Sequence, residues 1–211
     1  MVDIVKKIMN CSWKVLPAVF ILAVSGCATS SHPPAPASAE KMSDWYYLIG
    51  PGDSVSVFVW RNPELSGSFP VRPDGKMTMN LVEDLPASGK TPTQLARDIE
   101  KSLSKYIQDP IATVIVAGGV GPFSQQIRII GQAAKPQALN YREGMSLIDV
   151  MIAVGGVTDF AAGNKAIILR TTDGKQQQLS VRLEDLVKGG DVTANAEMRP
   201  GDVLVIPESW F

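Results

Sequence analysis

The chain is 211 residues long, carries 20 Lys and Arg against 21 Asp and Glu for a formal net charge of −1, and has one histidine and two cysteines. With no excess of positive charge and no Lys/Arg-rich stripe interleaved with aromatics, nucleic acid is not an expected partner, and a single histidine cannot assemble a His-based triad or a His-rich metal site. The length suits one medium domain or two small ones once a leader is set aside.

Lys6, Lys7 and Lys14 flank the start of an apolar run from Val15 to Val24, broken only by Pro17, and small residues follow. This is the plan of a secretory signal, and the run falls short of the about 20 apolar residues that span a bilayer. Val24-Ser25-Gly26-Cys27 resembles the bacterial lipobox. The resemblance implies cleavage between Gly26 and Cys27, a diacylglycerol thioether on the Cys27 sulfur and a further acyl chain, such as palmitate, on its new amino group. Each buried methylene contributes about 0.8 kcal/mol, so two or more chains anchor stably. Ala28 stands where an Asp would resemble an inner-membrane retention signal, which favours the outer membrane. Residues 1–26 are read as a lipoprotein signal peptide. Cys11 lies within it, so a chain starting at the lipidated Cys27 forms no internal disulfide.

Residues 27–43 are read as the lipidated cysteine and a flexible tether. The stretch "ATSSHPPAPASAEKMS" is small, polar and Pro-rich, contains His32 and has no apolar period; extended, such a segment reaches on the order of 50 Å. In "WYYLIGPGDSVSVFVW" a Pro51-Gly52-Asp53 turn leads into alternating Val55, Val57 and Val59, a strand with one face in a core. Pro73-Asp74-Gly75 predicts a hairpin between the extended runs on either side of it. "TPTQLARDIEKSLSKYI" places Leu95, Ile99, Leu103 and Tyr106 on one helical face, with Thr91 as N-cap, Pro92 in the first turn and Gln94 closing a capping box. "ATVIVA" (112–117) reads as a largely buried strand, and "GGVGP" ends the unit.

A second unit opens with two extended runs around Gly131 to Pro136. The helix "SLIDVMIAVGG" is stopped by Gly155-Gly156, "KAIILR" and "QQQLSVRL" form a hairpin around Asp173-Gly174, and a short "LEDLVKGG" helix precedes "MRPGDVLVIPESWF". Both halves mix short strands with one main helix, so the class is α+β, with no repeat of 20 to 50 residues. The two Pro-Gly-Asp stretches echo one another; they read as a turn-and-strand device in which the Asp carboxylate caps a backbone N–H, in preference to a catalytic pair of Asp53 and Asp202.

"SGKT" (88–91) lacks the earlier glycine of a phosphate-binding loop and has Asp84 in its place. The glycine-rich stretches lack the strand-to-helix setting of a dinucleotide site, and no carboxylate pair stands out for hydrolysis. No cofactor, metal or catalytic residue is expected beyond the covalent lipid. Trp45, Tyr46, Tyr47 and Trp60 are the candidate saccharide contacts, since aromatic faces stack on C–H groups; a hydrophobic cluster around the first strand is the plainer alternative.

The order of lipobox, tether, "YLIGPGDSVSVFVWRNPELSG", "VRPDGKMTM", the Thr-Pro-capped helix and "YIQDPIATVIV" resembles the polysaccharide export domain of outer-membrane polysaccharide export lipoproteins, the Wza-like family. "IRIIGQAAKPQALNYREGMSLIDVMIAVGGVTDFA" looks like the β-grasp SLBB module that follows it. On this resemblance the domains are 44–123 and 124–197, with a C-terminal strand and tail at 198–211. The resemblance implies passage of polymer, not catalysis: a homo-oligomeric ring, closed head to tail, anchored to the outer membrane with its body in the periplasm. The implied partners are exopolysaccharide or capsular polymer and an inner-membrane polysaccharide copolymerase. Larger members end in a helix that forms the outer-membrane barrel, whereas here four residues follow Pro207. A separate outer-membrane β-barrel porin is therefore expected, with the Cys27 lipid as the chain's own attachment. The alternative is a saccharide-binding outer-membrane lipoprotein that senses or retains polymer without conducting it.

Overall fold

Alternation decides the first strand: Val55, Val57 and Val59 of β1 (Ser54–Val59) are buried while Ser54, Ser56 and Phe58 face outward. A computed structural model describes residues 32–36, 45–119, 121–172 and 174–210. The chain divides into two units, Met1–Ser31 and His32–Phe211, and all described residues belong to the second. The signal peptide, Gly26, Cys27 and Asp173 lie outside the described residues.

β1 is the middle of a three-stranded antiparallel sheet, between β2 (Gly67–Pro70) and β5 (Ala112–Ala117). A separate two-stranded ladder joins β3 (Lys76–Met79) to β4 (Val82–Pro86). Helix α1 (Pro92–Leu103) starts with the expected capping box: the Gln94 N–H donates to Thr91 Oγ1 at 3.2 Å and the Thr91 N–H to Gln94 Oε1 at 2.9 Å. Its Leu95, Ile99 and Leu103 are fully buried and pack with Val55, Val57, Met77 and Leu85 in the first core.

Three expectations change here. The Pro73-Asp74-Gly75 turn forms, with the Gly75 N–H on the Arg72 carbonyl at 2.9 Å. It joins strands of two different sheets, because β2 pairs with β1 and β3 turns back through Asn80-Leu81 onto β4. Leu81 takes φ 68, where glycine is the usual signal. Tyr106 is not on the core face: α1 ends at Leu103, the Tyr106 and Ile107 N–H groups both donate to the Leu103 carbonyl, and Tyr106 is exposed. β5 is not largely buried. It is an edge strand in which Ala112 is buried, Val114 and Val116 are half-buried against the first core on the side that α1 covers, and Thr113, Ile115 and Ala117 are exposed.

The second half is a five-stranded sheet in the order β7-β6-β10-β8-β9, made of β6 (Gln126–Gly131), β7 (Ala138–Asn140), β8 (Ala166–Thr172), β9 (Lys175–Val181) and β10 (Val203–Ile206). The expected hairpins pair β6 with β7 and β8 with β9. β10, from the C-terminal stretch, is the central strand, parallel to β6 and antiparallel to β8. Helix α2 (Leu147–Val154) is closed by Gly155 at φ 77, and α3 (Leu183–Val187) follows β9. Ile127, Leu147, Val150, Ile168, Leu183 and Leu204 form the second core. The class is α+β, as the mixed pattern predicts. Residues 33–35 of the expected tether lie along β9, with the Ala35 N–H on Ser180 O at 3.0 Å and the Ser180 N–H on Pro33 O at 2.9 Å. No helix among the described residues is long and apolar enough to cross a membrane.

These positions predict unequal costs. Leu204→Ala, in the central strand at 0 % exposure, should lower stability by about 2–5 kcal/mol; Ile115→Ala, 60 % exposed on β5, should stay within about 0.5 kcal/mol. Urea unfolding of the two variants checks this.

Candidate functional site

The two Pro-Gly-Asp stretches adopt the same turn. The Asp53 N–H donates to Gly50 O at 3.2 Å and the Asp202 N–H to Arg199 O at 3.1 Å, with Gly52 at φ 90 and Gly201 at φ 86. A proline at the second position and a left-handed glycine at the third define this geometry. Each carboxylate folds back onto its own turn: Asp53 Oδ2 accepts the Gly50 N–H at 2.8 Å, and Asp202 Oδ2 accepts the Arg199 N–H at 2.8 Å.

Both aspartates are buried, at 0 % and 1 % exposure, so each needs donors beyond its turn. Asp53 receives the Tyr47 hydroxyl at 2.5 Å and the Gly121 N–H at 3.0 Å. Asp202 receives Arg170 Nε at 3.0 Å and Nη2 at 2.7 Å, a bidentate buried ion pair. Carboxylates held this way fasten the fold and offer no oxygen to a substrate, which favours the capping reading over the catalytic one. Sequence spacing showed the turn residues but not Arg170 or Tyr47, which come from other elements.

The four aromatics do not converge. Trp45 packs edge-on to Tyr141 with ring centroids 5.1 Å apart, against the second core and not around β1. Tyr47 lies against the first core and points its hydroxyl at Asp53. Burial, and then the hydrogen bond to Asp53, push that hydroxyl well above the usual tyrosine range. Tyr46 is exposed, and Trp60 is exposed beyond the other end of β1, edge-on to Phe58 at 6.4 Å. Leu48 donates its N–H to Gln125 Oε1 and Gln125 Nε2 reaches Tyr46 O, both at 3.3 Å, so the segment entering the first sheet is stitched to the start of the second.

An open depression of about 560 Å³ lies beside α2, lined by Asn140, Arg142, Glu143, Met145, Asp149 and Ile152 among others. Asp149 is already engaged: the Ser146 hydroxyl and N–H donate to it at 2.6 and 2.8 Å and hold its carboxyl below the usual range. None of the four aromatics lines this depression. The described residues contain no group of three or more His, Cys, Asp or Glu that could hold a metal ion. In "SGKT", Thr91 caps α1 and Lys90 pairs with Asp98 at 2.5 Å, so neither waits for a phosphate.

Residues 42–117 match the family model for polysaccharide biosynthesis/export proteins, and residues 125–206 match the SLBB domain. The EPS I polysaccharide export outer membrane protein EpsA of Ralstonia nicotianae is 25% identical over 186 residues, covering 77% of this chain and 47% of that one. The chain carries a polysaccharide biosynthesis/export domain followed by one SLBB domain. EpsA of Ralstonia solanacearum is likewise 25% identical, over 182 residues. The chain spans about half the length of these curated relatives. In the family's terms β1 to β5 with α1 form the export domain, β6 to β10 form the SLBB domain, and Asp53 ties its own turn to the Gly121 link between them.

Two substitutions test these fastenings. Arg170→Met leaves Asp202 buried and uncompensated and should cost about 3–5 kcal/mol in urea unfolding. Tyr47→Phe should cost about 1–3 kcal/mol at pH 8, where the Asp53 carboxylate loses a donor. An unfolded tyrosine ionises near pH 10, and the folded one holds its proton higher. The Tyr47 contribution is therefore intact below about pH 10 and lost as pH climbs through the folded value. The gap between wild type and Tyr47→Phe should narrow above pH 10.

Proposed function

We propose that this chain is a periplasmic component of a capsular or exopolysaccharide export machine, anchored in the outer membrane through lipid on Cys27. In this reading its copies close into a ring that gives the polymer a conduit, fed by an inner-membrane copolymerase and continued by a separate outer-membrane barrel. The single observation that carries it is the ordered pair of an export domain and an SLBB domain in a chain similar to proteins named for polysaccharide export. The chemistry asked of the chain is passage: polar walls and a fixed opening, with energy supplied by other components. The engagement of Asp53 and Asp202 by structural donors agrees with a non-catalytic role.

A saccharide-retaining lipoprotein is the second reading, favoured by the exposure of Tyr46 and Trp60. These two are the saccharide contacts to test, with Trp45 and Tyr47 drawn into the fold. Tight saturable binding of purified polymer by a monomer, lost in Trp60→Ala, would favour retention over conduction.

Deleting the gene should stop polymer secretion and leave polymer in the cell, and mild detergent should extract the wild-type protein as a multimer. A strictly monomeric protein with unchanged secretion in the deletion strain would sink the proposal. Cys27→Ala should give a folded protein that fractionates as soluble periplasmic material; firm retention in the outer membrane would transfer the anchor to a protein partner.

A further inference from the structure

The export-domain sheet ends in two edge strands, β2 and β5, with no further strand hydrogen-bonded to either among the described residues, and the ladder shows which backbone groups they present. The Trp60 N–H donates to Ile111 O at 2.9 Å, which with the register Phe58↔Thr113 and Ser56↔Ile115 turns the backbone groups of Thr113 and Ile115 toward β1. Ala112, Val114 and Val116 therefore aim theirs away from the sheet, and the Ala112 N–H does so visibly, donating to Glu100 Oε1 at 2.9 Å. The outward groups of Val114 and Val116 have no hydrogen-bond partner among the described residues. On the opposite edge the Val71 N–H donates to Asp53 O at 2.8 Å, so Phe69 and Gly67 face β1, and Ser68 and Pro70 face outward.

Such an edge is a template for another strand, and soluble proteins usually blunt it with charge, proline or a bulge. β5, Ala-Thr-Val-Ile-Val-Ala, has none of these. Beside it the uncovered face of the sheet exposes Phe58, Trp60, Ile111 and Ile115 at 51 to 60 %, an apolar patch of the kind that marks an interface. A second copy is the occupant that fits, because each chain carries both halves of the join. β2 and β5 are each antiparallel to β1 and so run parallel to each other. In a parallel ladder a residue with outward groups sits opposite one whose groups point away, both side chains on the same face. Ser68, on the open face, meets that condition with Ile115, on the same face: its N–H would reach Val114 O, and its carbonyl the Val116 N–H. Neither strand carries a charged residue to oppose the contact, and Pro70, which has no N–H to donate, lies at the end of β2 beyond Ser68.

We propose that β5 of one copy pairs in parallel with β2 of the next, with Ser68 opposite Ile115, joining the export-domain sheets of successive copies head to tail. The proposal rests on the ring reading above and names its seam. Repetition of this heterologous contact closes a ring when the rotation per copy permits. Phe58 and Trp60 of successive copies would then lie along one continuous band.

Neighbouring strands stand about 4.8 Å apart, within the Cα separation of about 4.4–6.8 Å that a disulfide bridges. The test uses the full chain in membranes, with Ser68→Cys and Ile115→Cys together, oxidised and run on non-reducing gels. A ladder of covalent multimers is expected from the double variant, and none from wild type or either single variant. A covalent dimer from Ile115→Cys alone would mean that two β5 edges pair antiparallel, and would overturn the head-to-tail seam. No linkage in the double variant, with wild type still multimeric by native mass measurement, overturns the seam and leaves the ring standing. A monomeric wild type removes both. Val116→Pro deletes an outward N–H that the monomer does not use, and it should yield a monomer with an unchanged circular dichroism spectrum; a folded Val116→Pro protein that remains multimeric also overturns the seam.

Discussion

A carboxylate taken out of water must be met by donors, and Asp53 meets that need by drawing together parts of the chain that would otherwise have no reason to touch. Its own turn supplies one N–H, the segment before the turn supplies the Tyr47 hydroxyl, and the Gly121 backbone, far along the sequence, supplies another N–H. The link between the two domains is thereby fixed to the start of the first. Gln125 and Trp45 reinforce the same junction, one by bridging Tyr46 and Leu48, the other by packing on Tyr141. The export and SLBB halves keep separate cores, joined at this point by hydrogen bonds and by the packing of Trp45 on the second core.

The same turn recurs at the other end of the folded region with a different second partner. Asp202 is satisfied by the Arg170 guanidinium, which also donates to the Glu197 carbonyl at 3.0 Å. The turn thus holds β10 against β8 at the centre of the five-stranded sheet. A buried ion pair contributes little net stability against an apolar alternative, while removal of one partner is costly. Here it ties the turn that precedes β10 to β8, one of the two strands between which β10 lies.

The first sheet stands in contrast. One face exposes large apolar side chains and both edge strands lack a further hydrogen-bonded strand among the described residues, with no charge on β2 or β5. A monomer gains nothing from exposing Ile111, Ile115 and Trp60. An assembly does, and the proposed seam between copies gives that exposure a physical reason.

The sequence by itself determined the elements governed by local rules: the alternation of β1, the capping box and buried stripe of α1, the glycine stop of α2, the pairing of β8 with β9, and both Pro-Gly-Asp turns. These follow from dihedral preferences and periods that neighbouring residues settle among themselves. The exposure of β5 is not legible in its residues, because a β-branched run looks alike at the centre and at the edge of a sheet. The Pro73 turn reverses the chain as its residues dictate but joins two different ladders, because turn chemistry fixes a change of direction and not the partner. Trp45 and Tyr47, two residues apart, go to different cores, which their spacing does not encode. Arg170 as the partner of Asp202, Gly121 as the partner of Asp53, β10 as a central strand and residues 33–35 along β9 were decided only by the tertiary structure. Each of these pairs groups far apart in the chain, and no local preference of either one encodes the other.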